Sequence, residues 1–126
     1  MLGAMNILVV EDQPVVRELL AAVASSAFKG SRVQAVGDLE SALDVARATH
    51  IDAVLLDLGL PGCQGADAVK RFKSAFPGVV IVVVSSNDDS RVISEALDAG
   101  ASGFLPKGLS PAGLTAALAG LRTAIQ

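Results

Sequence analysis

The sequence predicts an α/β domain in which a five-stranded parallel sheet is covered on both faces by five helices. Three observations predict it. Short β-branched runs recur five times along the chain, segments of helical period follow each of them, and the runs are near-continuously apolar rather than alternating. A run that is apolar at every position has both faces covered, as strands of parallel sheets do. Alternation of strand with helix then implies right-handed crossovers between strands of one sheet.

The strands are expected at Asn6–Val10, Arg32–Val36, Ala53–Leu56, Val79–Val84 and Ser102–Leu105, all fully buried. In the first helix, Val16, Leu19, Leu20, Val23 and Ala27 recur at i, i+3, i+4, i+7 and i+11. Leu39, Ala42, Leu43 and Ala46 make the second, with Asp38 placed to cap it and His50 at its end, facing solvent. Ala66, Val69, Phe72 and Phe76 make the third, stopped by Pro77-Gly78. Ile93, Ala96 and Leu97 belong to a fourth that ends at Gly100, with Asp88 and Asp89 complementing its N-terminal dipole. The fifth spans Ser110–Ile125, with Ser110 as cap, Pro111 at its first position and Leu114, Ala117, Leu118, Leu121 and Ile125 as its apolar stripe. Ala112, Gly113, Ala116 and Gly120 lie off that stripe, small enough to let a partner helix dock closely.

Composition narrows the function. The 126 residues suit one domain, and 52% hydrophobic with 18% charged residues excludes a disordered chain. With 3% aromatics and neither Trp nor Tyr, stacking platforms for single-stranded nucleic acid are not expected. Basic residues cluster nowhere beyond Lys70, Arg71 and Lys73, so this chain is not expected to bind nucleic acid directly. A single cysteine, Cys63, excludes an internal disulfide framework, suits a reducing compartment and has no visible base to activate it. The longest apolar run, Val79–Val84, is far short of a membrane span, and Met1–Met5 lacks the pattern of a signal peptide. A cytoplasmic domain with no membrane contact is expected, with residues 1–5 an extension of cloning origin and residues 6–126 the domain itself.

In open parallel sheets ligands bind beyond the carboxyl ends of the strands. Strand one ends in Glu11-Asp12, strand three in Asp57, strand four in Ser85-Ser86, and strand five leads to Lys107; strand two leads only to Gly37-Asp38, as an edge strand would. Three carboxylates gathered at one sheet end repel one another, and a hard divalent cation such as Mg²⁺ removes that penalty. Lys107 offers a point charge for a phosphoryl oxygen and Ser85 a hydroxyl donor. No His, Lys or reactive Cys is placed as a nucleophile, whereas an Asp carboxylate can attack phosphorus and form an acyl phosphate, which makes Asp57 the candidate.

At these residues the sequence resembles the receiver domains of two-component response regulators. The matching stretches are Ile7–Pro14, Val54–Gly62 with Gly65, Ile81–Ser86, and Ala99–Lys107, and together they cover essentially the whole chain. The resemblance implies a flavodoxin-like doubly wound sheet of order 2-1-3-4-5. It implies that Asp57 accepts a phosphoryl group from a sensor histidine kinase or phosphotransfer protein. Glu11, Asp12, Asp57 and the Gly59 backbone carbonyl would hold Mg²⁺, and Ser85 and Lys107 would bind phosphoryl oxygens. Ser85 and Phe104 would switch, remodelling the face of helix four, strand five and helix five. That face or helix five alone would serve a homodimer, while Gly59 and Asn87 would tune dephosphorylation by water.

The segment Gly103–Lys107 resembles the subfamily with a C-terminal helix-turn-helix, although Gly108 stands where Pro is frequent. The expectation is a regulator of transcription acting through an output domain beyond this chain, or else a stand-alone interaction module. Such a protein phosphorylates and dephosphorylates itself but is not otherwise an enzyme. A haloacid-dehalogenase-type phosphohydrolase also uses an Asp nucleophile and Mg²⁺, but would need a second Asp where Gly59 stands. The net charge of −3 fits the receiver reading: without Glu11, Asp12, Asp57 and Lys107, ten acids face nine bases, so two of the three excess charges belong to the expected pocket.

Overall fold

The computed structural model describes residues 4–63, 65–86 and 90–121, and ten elements alternate along them. They are β1 (Asn6–Val10), α1 (Pro14–Ala27), β2 (Arg32–Val36), α2 (Leu39–Ala48), β3 (Ala53–Asp57), α3 (Ala66–Ala75), β4 (Val80–Ser85), α4 (Ser90–Asp98), β5 (Gly103–Pro106) and α5 (Pro111–Ala119). The strands form one parallel sheet in the order β2-β1-β3-β4-β5, as expected.

Successive residues of a strand point to opposite faces, so each central strand feeds two cores. Leu8, Val10, Val54, Leu56, Ile81 and Val83 pack with α2, α3 and α4, around Leu43, Phe72 and Ala96. Ile7, Val9, Leu55, Val82 and Val84 pack with α1 and α5, around Leu20, Val23, Leu114 and Leu118. Most of these side chains are fully buried, and each contributes roughly 1.5–3 kcal/mol of transfer free energy. This two-sided burial is why β1, β3 and β4 are apolar without alternation.

The expectation that every strand is fully buried fails at both edge strands, at β5, where only Leu105 is buried, and at β2. Arg32, Gln34 and Ala35 are exposed there, because β2 pairs only with β1 and closes the edge of the sheet. Three strand ends also move. β3 extends to Asp57, β4 to Ser85 and β5 to Pro106, because the ladder continues through Asp57 opposite Val84 and Ser85 opposite Pro106. α2 ends at Ala48, which puts exposed His50 in the loop beyond it, with its Nε2 3.1 Å from Asp52.

Local signals explain the starts of α2 and α5 and the end of α4. The Asp38 carboxylate accepts the Ser41 N–H at 2.7 Å, and Ser110 Oγ accepts that of Gly113 at 3.1 Å. Gly100 (φ 122°) closes α4 in a left-handed conformation, and a Cβ there would lie 3.0 Å from Lys73 Cγ. Met1, Asp88, Asp89 and the last turn of the expected fifth helix lie outside the described residues.

Parallel pairing brings every strand's carboxyl end to the same edge. Val10 stands opposite Leu56, Asp57 opposite Val84 and Ser85 opposite Pro106. The residues that end these strands, or follow them by one, are therefore neighbours in space.

Candidate functional site

Glu11 is the first residue past β1. Its N–H still bonds to the Val36 carbonyl at 3.0 Å, while its carboxyl is completely buried. Oε2 accepts the backbone N–H of Gln13 at 3.1 Å, at the positive end of α1. Asp57, the last residue of the central strand β3, is 3% exposed, and its Oδ1 accepts the Gly59 N–H at 2.9 Å. Lys107 follows β5; its backbone N–H bonds to the Ser85 carbonyl, and its ammonium turns inward. Nζ lies 2.7 Å from Glu11 Oε1 and 3.2 Å from Asp57 Oδ1. Asp12 is half-buried beside them, and Glu11, Asp12 and Asp57 each offer an oxygen within 4.8 Å of the others.

Three carboxylates and one ammonium make this strand-end cluster net negative. Burial lifts the Glu11 carboxyl above its ordinary 4.5; Lys107 and the Gln13 N–H pull it back only in part, and the Asp57 charge adds to the rise. Burial draws the Lys107 ammonium down, but its bonds to Glu11 and Asp57 and their charges outweigh this, leaving it above 10.5. The folded chain therefore holds the Glu11 proton more tightly than the unfolded chain does. Stability from this group is fully present below pH 4.5 and is lost as the pH rises through the raised folded value. The Lys107 contribution is present below pH 10.5 and is lost above its own raised value. Glu11→Gln removes the first titration. In EDTA, denaturant unfolding should show the wild type losing stability relative to Glu11→Gln as the pH rises above 4.5 through the raised folded value. Parallel pH profiles for the two chains contradict this account of Glu11.

A cleft of about 620 Å³ opens over Asp57, and Gly59, Ser85, Ser86 and Lys107 line it. Ser85 is buried at the end of β4, whereas Ser86 is exposed. Gly59 is exposed, and a Cβ there would stand 3.5 Å from Asp57 Oδ1, in ordinary contact. Phe104 is half-buried in β5 opposite Val83 and packs on the core beneath α2–α4. Asn87 lies outside the described residues.

Sequence reasoning passed over four contributors. The Gln13 amide holds Glu11 through backbone alone, which no side-chain pattern reveals. Lys70 of α3 and Glu95 of α4 line the far wall of the cleft, brought there only by tertiary packing. Arg17 of α1 donates from Nη1 to the Glu11 carbonyl at 3.0 Å. The available hint was a cation near a helix N-terminus, where the dipole disfavours it.

Residues 7–119 match the family described as the response regulator receiver domain. The chain belongs to that family. As a receiver domain it is 35% identical to the glycerol metabolism activator of Pseudomonas putida over 103 residues, which are 81% of this chain and 47% of that protein. It is also 35% identical over 111 residues to a protein-glutamate methylesterase/protein-glutamine glutaminase of Nitrosospira multiformis, covering 86% of this chain and 30% of that protein. Among solved structures, a LuxR-family two-component response regulator from Aurantimonas sp. SI85-9A1 superposes with a TM-score of 0.84 at 29% identity. That match covers 97% of the receiver and 87% of the solved chain. The receiver spans about half the length of its curated relatives, or less.

Proposed function

We propose that this receiver is a phosphorylation-controlled switch, with Asp57 as the phosphoacceptor and a histidine kinase or phosphotransfer protein as donor. One observation carries the reading: a carboxylate buried at the end of the central strand lies 3.2 Å from an ammonium and beside two further acids. A carboxylate oxygen of Asp57 forms a bond to phosphorus, the donor's P–N bond breaks, and its electron pair returns to the imidazole. The Lys107 ammonium is within reach of the phosphoryl oxygens, and the Ser85 hydroxyl completes their cradle.

Mg²⁺ fits the donor set, which is oxygen-only, carboxylate-rich and net negative. Glu11, Asp12, Asp57 and the Gly59 carbonyl would hold it, and when bound it neutralises the charge of the transferring phosphoryl group. Ser85 and Phe104 then act as the switch, remodelling the α4–β5–α5 face, where Leu97 is 43% exposed, for a second copy or another partner. Its effect on transcription would run through a segment beyond this chain. No described helix is long and apolar enough to cross a membrane, and a cytoplasmic setting suits a phosphate relay.

Incubation with Mg²⁺ and acetyl phosphate tests the reading, with the product weighed by mass spectrometry. The expected product carries one labile phosphate per chain and forms only with the cation present. Multi-turnover phosphate release from unrelated phosphomonoesters would instead establish a hydrolase, against which the absence of an acid at Gly59 argues.

Gly59 and Asn87 are proposed to set how readily water reaches the acyl phosphate. In Gly59→Met the added Cβ sits in ordinary contact, 3.5 Å from Asp57 Oδ1, and the side chain beyond it is proposed to cover the carboxylate. The phosphorylated variant should decay about tenfold more slowly, equivalent to ~1.4 kcal/mol of barrier. An unchanged decay rate after removal of the donor removes Gly59 from this role.

A further inference from the structure

Arg17 and Gly37 form a contact that neither the fold nor the phosphotransfer step requires. Arg17 lies in the first turns of α1, near the positive helix end, where a cation gains nothing from the dipole. It reaches across to the point where β1 and β2 part. There the β1–β2 pairing has ended at Val10 and Val36, and the Glu11 carbonyl accepts Arg17 Nη1 at 3.0 Å. The Glu11 N–H is already bonded to the Val36 carbonyl, so both peptide groups of this residue are tied down.

Gly37 provides the seat. A Cβ there would come 2.8 Å from Arg17 Nη1 and 3.9 Å from the Glu11 carbonyl oxygen. Gly37 is not among the glycines with positive φ, so its backbone does not demand glycine; a Cβ there would instead push the flexible guanidinium end of Arg17 from its place.

We propose that Arg17 is a positioning residue for divalent-cation binding, held over Gly37 so that it fixes the peptide carrying Glu11 and Asp12. The inference rests on the reading of Glu11, Asp12 and Asp57 as a cation site. Both carboxylates are set by a loop between β1 and α1, and that loop's first carbonyl is anchored by the guanidinium. Partners that orient ligands in this way typically govern metal affinity by 10–100-fold.

Calorimetric titration with Mg²⁺ alone, on the wild type, Arg17→Ala, Arg17→Lys and Gly37→Ala, tests it. Gly37→Ala is the decisive variant. It keeps the positive charge in the molecule and displaces only the flexible end of Arg17. Both alanine variants should bind Mg²⁺ about tenfold more weakly. Arg17→Lys, which keeps a donor, should recover part of the loss. The melting temperature of Gly37→Ala in EDTA should match that of the wild type, separating positioning from general destabilisation. Unchanged affinity in Gly37→Ala overturns the proposal. So does tighter binding in Arg17→Ala alone, which would make the guanidinium a mere repelling charge. A wild-type chain that binds no Mg²⁺ overturns the cation reading itself, and this inference with it.

Discussion

The Asp57→Asn chain should fold normally and take up no phosphate from acetyl phosphate under any Mg²⁺ concentration. Asparagine has the volume of aspartate, and its carbonyl oxygen can still accept the Gly59 N–H that Oδ1 accepts at 2.9 Å. The pairing of Glu11 with Lys107 at 2.7 Å does not involve position 57 and survives. On the proposed reading only the nucleophile is lost, because an amide oxygen does not displace a phosphoryl leaving group as a carboxylate does. Mass spectrometry on the two chains side by side checks this. An adduct of wild-type yield on Asp57→Asn would place the chemistry elsewhere.

Lys107→Met should be the most damaging change that leaves the nucleophile in place. The Glu11 carboxyl is completely buried and its Oε1 faces the Lys107 ammonium at 2.7 Å. Methionine fills the stem's volume but removes the countercharge from two carboxylates. Breaking a buried pair from one side costs 3–5 kcal/mol, and because the Lys107 side chain keeps 21% of its surface in solvent, about 3 kcal/mol is expected at neutral pH. Glu11 can relieve the strain by taking a proton, and burial already favours that form, so the loss should shrink as the pH falls toward 4.5. Phosphorylation should slow by about two orders of magnitude, the usual consequence of removing one preorganised charge from a transferring group. Denaturant unfolding at two pH values and a phosphorylation time course measure both effects. A stability change that does not depend on pH would mean that Lys107 is not the counterion of Glu11.

The two-sided sheet was legible because covering both faces leaves a plain mark: β3 and β4 carry no polar residue before their last position, and β1 none after Asn6. β2 was placed correctly at the edge, but its burial was over-read, because its β-branched composition resembles that of a central strand while burial depends on a second neighbour that an edge strand lacks. Strand ends slipped by one residue at Asp57, Ser85 and Pro106 for a related reason. Polar side chains and proline suggest a boundary, but ladder bonds continue wherever a partner strand is still present.

The acids, the serine and the lysine could be grouped from sequence since parallel strands deliver their carboxyl ends to one edge, so position along each strand becomes position in space. What that logic lacks is reach. Lys107 could be assigned a charge's task, but its simultaneous contact with Glu11 and Asp57 follows from the β5 register and the length of its side chain. Arg17 and Gly37 lie twenty positions apart on different elements, and their contact exists only because α1 crosses the end of the β1–β2 pair.

Borohydride trapping tests the central claim most directly. An acyl phosphate is reduced at its carbonyl carbon, whereas phosphate on serine, lysine or histidine is not. After incubation with Mg²⁺ and acetyl phosphate, reduction and peptide mapping should find homoserine at position 57 and at no other aspartate. Phosphate carried on a different residue, or no reducible adduct at all, would contradict the assignment of Asp57 as the phosphoacceptor.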